Sequence, residues 1–187
     1  MIILGSTSPR RKELLTKLTS NFRVIAPLFD EHNLSTKLSR NYALEESYNK
    51  AFSLKDKVNK NDCLICVDTI VYFENKIYGK PKDLNEARLF LGKLSNKKHE
   101  VISGYTIFYK NEIIKKEVTT YVEFNKFSEE EIINYINSIN VLDKAGAYSI
   151  QDDKNFHLIK KIEGSFSNVM GFPLEEIKND LEKFNLL

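Results

Sequence analysis

The run CLICVDTIVYF, residues 63–73, constrains the chain most, because a single carboxylate, Asp68, stands among ten apolar or small side chains. Its β-branched neighbours Val67, Thr69, Ile70 and Val71 favour extended backbone, so the run predicts a buried strand. A carboxylate buried there without a partner costs several kcal/mol, and Asp68 therefore needs a metal ion, a cation or a mouth onto a cleft. The competing reading is an Asp that leaves the strand edge and caps a turn. The two cysteines of the same run, Cys63 and Cys66, form a lone C-x-x-C. Structural zinc needs a second ligand pair and redox pairs open helices, so these read as core cysteines.

Helix and strand patterns alternate around that run. MIIL predicts a strand ended by Gly5. Ser8-Pro9 then reads as an N-cap with proline at the first helical position, followed by a helix striped by Leu14, Leu15 and Leu18. A polar loop holds FDEHNLS, and a helix is predicted over 41–58 with Leu44, Tyr48, Ala51 and Val58 on one side. ENK turns the chain after the Asp68 strand. Asp83 with Glu86, and Ser128 with Glu131, read as capping boxes. Two long strands, HEVISGYTIFY and KEVTTYVEFNKF, flank the turn KNE. A strand over NFHLIKKIEG and a helix striped by Leu174, Ile177, Leu181 and Phe184 complete the pattern. The expected fold is α/β: a mixed, twisted sheet flanked by helices, one domain over 1–187 built as two lobes with an active-site cleft between them.

Several residues outside the strand carry chemistry. In GSTSPRRKELL, Arg10 and Arg11 place positive charge at a helix start, where the dipole is already positive. Free amides, the hydroxyls of this segment and two guanidinium groups there make a phosphate cradle; a solvated basic turn or a kinase-type Ser-Pro site are the alternatives. Lys80, in YGKPKD, is aimed from a stiff loop and suits a phosphate contact. Lys50, on local grounds, reads as a solvated lysine on a helix face. Asp30 and Glu31 have the oxygen ligands to join Asp68 around a hard divalent cation, or serve only loop solubility. In DKAGAYSIQ, Gly146 permits close backbone approach and Gln151 offers an amide able to read a base edge. These are the parts for binding a nucleoside triphosphate with its metal and attacking one phosphorus with water. No Walker loop or dinucleotide fingerprint occurs, which disfavours kinases, P-loop ATPases and Rossmann enzymes.

The balance of 28 basic and 26 acidic residues, net +2, advertises neither nucleic acid nor an anionic membrane as a partner. The short apolar start with its charges after it has the wrong order for a secretory signal, so a cytoplasmic location is expected. His32, His99 and His157 share no motif and signal neither zinc nor a Ser-His pair.

The segments STSPRRKELL, FDE, YNKA, VDTIV, YGKPKD, LDKAGAYSIQ and IEGSFSNVMGFPL, in this order, resemble the Maf family of nucleoside triphosphate pyrophosphatases over essentially the whole chain. The resemblance implies hydrolysis between the α and β phosphates, giving a nucleoside monophosphate and pyrophosphate with Mg or Mn. It assigns Asp68 as catalytic base with Glu31 as its acidic partner, both holding the metal. Arg10, Arg11, Lys50 and Lys80 face the phosphates in the family's pattern, beside the Ser8 cap. Arg10, Thr69 and Gln151 match the positions that separate substrate subgroups, and together they resemble the dTTP and UTP subgroup. Val67 stands where the family usually has Ala, Ser149 where it has Gly, and the common Tyr pair is missing from GSFSNVMGFPL. A homodimer is expected from the family. The rival readings are an inosine or xanthosine triphosphate pyrophosphatase and a non-enzymatic septum-formation or DNA-binding regulator.

Overall fold

The computed structural model describes residues 1–28 and 39–187. Its elements are β1 (Ile2–Leu4), α1 (Pro9–Thr16), β2 (Phe22–Val24), α2 (Tyr42–Leu54), β3 (Cys63–Phe73), β4 (Lys76–Tyr78), α3 (Leu84–Leu94) and β5 (Lys98–Tyr109), then β6 (Glu112–Phe124), α4 (Glu129–Ser138), β7 (Ile159–Glu163), α5 (Phe166–Val169) and α6 (Leu174–Lys183). The strands form one seven-stranded sheet in the order β2-β1-β3-β5-β6-β7, with β4 paired to β3. β1 runs parallel to β2 and to β3, placing Ile3 between Arg23 and Leu64. β4 is antiparallel to β3 and β7 to β6, so the sheet is mixed as expected. Strand β3 is the predicted buried run, and its apolar character on both faces is what an interior strand requires. Glu74 and Asn75 turn it into β4 with left-handed φ values of 49° and 58°, as a two-residue hairpin demands.

The chain divides into two compact units. The first comprises Met1–Thr69, Ser103–Val118 and Gly171–Leu187; the second comprises Ile70–Ile102 and Thr119–Met170. Strands β3, β5 and β6 each contribute residues to both. In the first unit Ile3, Ala51, Leu54, Leu64 and Cys66 form a core cluster. In the second, α3 and α4 supply Leu91, Leu94, Ile132 and Tyr135 to a larger cluster with Val101, Val122 and Phe124.

Capping chemistry starts the helices where the sequence places it. Ser8 accepts the Arg11 amide at 3.5 Å, with Pro9 opening α1. Ser128 and Glu131 form a complete capping box. Asp83 caps α3 through the Glu86 amide, but the Glu86 carboxylate accepts from Lys82 N–H at 2.7 Å, so the box there is closed one residue early. Two expectations are corrected. Helix α2 ends at Leu54 and passes into a tight turn over Lys55–Lys57, and its buried face is Ala43, Glu46, Ser47, Lys50, Ala51 and Leu54. The cause lies on β5, where a Cβ on Gly104 would sit 2.3 Å from the Leu44 backbone. Only glycine lets the helix approach so closely, and the close approach turns its small and polar residues inward. The last strand is likewise shorter than NFHLIKKIEG, because Asp153–Asn155 forms a turn and His157 is left-handed at φ 56°.

Candidate active site

In the first unit Asp68 reaches α2. Its Oδ1 accepts from Lys50 Nζ at 2.7 Å, and the two side chains are 15% and 6% exposed. Lys50 is thus not a solvated lysine, which corrects the local reading. The Gly104 contact and the Ser47 Oγ to Thr106 Oγ1 bond of 2.9 Å seat α2 on β5 and carry Lys50 inward. The ion pair answers the demand that the sequence of β3 makes of Asp68.

Thr69, next in the strand, turns to the other face, as the two-residue period requires. Its Oγ1 lies 2.8 Å from Ser103 Oγ on β5. A Cβ on Gly171 would stand 3.5 Å from that Oγ1 and 4.0 Å from Arg11 Nε. Gly171, at φ 96°, holds a left-handed conformation that leaves its carbonyl open to Arg11 Nε–H at 2.9 Å. Arg11 also donates to Ser6 Oγ at 3.3 Å. The first turn of α1 contains no acid, so its positive dipole and the two arginines reinforce each other. Ser8, Arg11, Lys50, Asp68 and Thr69 therefore lie within a single compact unit with Arg10, which is half-buried on α1.

Lys80 and Gln151 belong to the second unit, and both are exposed. The segments that carry them are tied to each other by the Gly146 N–H, which donates to Gly79 O at 3.0 Å. Ser149 N–H donates to the Tyr135 hydroxyl at 2.9 Å, and the Tyr148 hydroxyl meets His99 Nε2 at 2.9 Å. His99 is 2% exposed, and burial pushes its imidazole down to about 3, so it is neutral at physiological pH. Burial likewise holds the Tyr148 and Tyr135 hydroxyls well above their ordinary range. A cavity of about 340 Å³ in this unit, lined by residues including Tyr72, Glu74, Lys98 and Tyr121, contains none of the predicted site residues.

Glu31, with Asp30, lies outside the described residues. Among the described residues no group of three His, Cys, Asp or Glu side chains gathers into a metal site. Asp68 still fits a hard cation in part: Lys50 takes Oδ1, and Oδ2 has no hydrogen bond among the described residues. One or two carboxylates with phosphate oxygens are the ordinary donors to Mg. Cys63 and Cys66 are free and buried, and burial lifts both thiols to about 12, which fits core cysteines. No helix among the described residues is long and apolar enough to cross a membrane. Ser103 and Gly171 carry no local signal in the sequence, being a buried serine and a glycine, and His99, which shares no motif with the other histidines, gains a role only through Tyr148.

Comparison with known proteins shows the fold and the family. The Ham1 protein of Staphylococcus aureus shares the fold, with a TM-score of 0.52 over 98% of each chain at 18% identity. A dTTP/UTP pyrophosphatase of Thermosipho africanus (strain TCF52B) is 43% identical over 176 residues, 94% of this chain and 89% of the relative. One of Clostridium botulinum (strain Eklund 17B / Type B) is 39% identical over 185 residues, 97% and 98% respectively. The family model described as Maf-like protein matches residues 1–184. With a match that spans nearly its whole length, the chain belongs to the Maf family.

Proposed function

We propose that the protein hydrolyses dTTP and UTP between the α and β phosphates, releasing a nucleoside monophosphate and pyrophosphate. The observation that carries this reading is the Asp68 carboxylate, oriented by Lys50 at 2.7 Å, within the unit that also holds the acid-free, doubly cationic start of α1. The names of the relatives near 40% identity support the substrate.

In this reading Asp68 takes the proton of the attacking water through the oxygen that Lys50 leaves open. Arg10, Arg11, Lys50 and Lys80 stabilise charge building on the phosphates, with Arg11 braced by the Gly171 carbonyl. Glu31 and Asp68 hold Mg or Mn, whose contribution when bound is to neutralise phosphate charge. Arg10, Thr69 and Gln151 select the base; the Gln151 amide offers one donor and one acceptor edge, matching the O4 and N3–H of thymine and uracil. Free cysteines suit the reducing cytoplasm, where nucleotides are found.

The test is a nucleotide panel with Mg or Mn, scored for pyrophosphate against orthophosphate. Pyrophosphate from dTTP and UTP, well ahead of CTP, ATP and GTP, is the expected result. Orthophosphate as the first product rejects the reaction, and a preference for inosine triphosphate rejects the pyrimidine assignment.

A further inference from the structure

Thr69 and Ser103 stand on adjacent strands with their hydroxyls 2.8 Å apart. Ser103 is fully buried, whereas Thr69 is half-buried. Each hydroxyl has one proton and two lone pairs, so the bond between them decides what Thr69 has left to offer. If Ser103 donates, Thr69 keeps its own O–H for a ligand; if Thr69 donates, it presents only a lone pair. Ser103, being fully buried, is the fixed member of the pair.

The same bond fixes which branch of threonine points where. Rotation about χ1 exchanges the Thr69 hydroxyl and methyl positions, and a β-branched side chain sits in few wells. Ser103 rewards the well that brings Oγ1 toward β5. Gly171 lacks the side chain whose first carbon would touch that oxygen at 3.5 Å. Beyond it Arg11 grips the Gly171 carbonyl. The oxygen is thus held by Ser103, with no side chain projecting onto it from Gly171.

We propose that Ser103 is a positioning residue for nucleobase selection, holding the Thr69 rotamer and hydroxyl proton so that Thr69 meets one pyrimidine edge. The inference rests on the reading of Thr69 as a residue that faces the substrate base. Without the serine hydroxyl, threonine rotates and presents its methyl, so the wrong base is no longer penalised by an unpaired polar group.

The experiment measures kcat and KM for dTTP, UTP and CTP on the wild type and on Ser103→Ala, Ser103→Cys, Ser103→Thr and Thr69→Val. Ser103→Ala and Ser103→Cys should lower the dTTP-to-CTP ratio of kcat/KM about 10-fold, through KM, with kcat little changed. Ser103→Thr, which keeps a hydroxyl, should restore the ratio. Two cavity-free or near-isosteric serine variants guard against one of them failing to fold. A ratio unchanged in the serine variants but lowered in Thr69→Val overturns the role of Ser103. A ratio unchanged in Thr69→Val overturns the base-facing reading beneath it, and an equal fall in kcat for all three nucleotides marks Ser103 as merely structural.

Discussion

The first unit buries charge, with Lys50 against Asp68 and Asp180 beneath Lys116, Lys183 and Tyr105, whereas the second buries neutral polar groups. There His99 meets Tyr148, Tyr135 accepts the Ser149 amide, and Asn168 donates to Val101 O and Thr120 Oγ1. Buried charge is costly to keep, so its concentration in one unit marks where charge has to be handled. Neutral hydrogen-bonded networks instead fix one geometry, which suits the role proposed for the Gln151 amide. In the proposed reading the buried ion pair of the first unit serves the phosphates, and the second unit contributes Lys80 and Gln151.

Removing the charge of Asp68 should have the largest effect. Asp68→Asn keeps the shape and a hydrogen-bond acceptor for Lys50 but loses the proton acceptor, and kcat for dTTP is expected to fall about 100-fold to 10,000-fold. Single-turnover release of pyrophosphate measures it. Near-normal turnover would take the chemistry away from the charged unit and end the contrast.

Much of this was readable in the sequence, and the reason is local in each case. The Asp68 strand, the Ser8 cap and the Ser128 capping box are written in consecutive residues. What stayed hidden depends on partners far along the chain. Lys50 looks like any surface lysine until Gly104, more than fifty positions later, pulls α2 against the sheet. Ser103 and Gly171 have meaning only beside Thr69 and Arg11, and His99 only against Tyr148. Glu31 remains an expectation from the family's pattern.

Acid should separate the two units next. Burial lowers His99 to about 3 from its ordinary 6.5, so between those values the unfolded chain binds one more proton than the folded one. Stability is full above about 6.5 and is lost as pH falls, by about 1.4 kcal/mol per pH unit. For Asp180, burial acts to raise the carboxyl, but the hydrogen bonds from Lys116, Lys183 and Tyr105 outweigh it and hold the group below 3.8. Its contribution persists above that value and is lost only as pH falls further. Amide exchange, corrected for intrinsic rates, should therefore show Tyr135 losing protection between roughly pH 6.5 and 4.5 while Tyr105 keeps its own. His99→Gln should flatten the response. Equal losses in both units would show that they open together.

A smaller effect is expected from Asp180→Ala. The carboxylate is fully buried, but Lys116 and Lys183 are 44% and 64% exposed and can return to water at little cost. The loss falls on the fully buried Tyr105, whose hydroxyl is left without its acceptor at 2.7 Å, for about 1–3 kcal/mol. Asp180→Asn should recover most of it, because an amide oxygen still accepts from tyrosine. Urea midpoints of the two variants decide the matter, and equal destabilisation would assign the stability to the charges.

The finest test lies in the neutral network. Tyr148→Phe keeps the ring contacts to Phe124 at 4.8 Å and His99 at 5.5 Å between centroids, and removes only the hydroxyl. His99 Nδ1 already has no hydrogen-bond partner among the described residues, so the variant leaves both ring nitrogens unsatisfied. That should cost about 1–2 kcal/mol in urea unfolding, and His99→Phe combined with Tyr148→Phe should cost less than the sum of the two, because it removes both partners of one bond. Tyr148 stands three residues before Gln151, beside the Ser149 amide held by Tyr135. Loosening it should reduce the preference for dTTP over CTP by less than Ser103→Ala does, with pyrophosphate still the product. If the neutral network holds the Gln151 segment for base reading, Tyr148→Phe changes the ratio of kcat/KM values and spares kcat. A fall in kcat common to all nucleotides would instead tie the network to the phosphate contacts, of which Lys80 lies in the same unit.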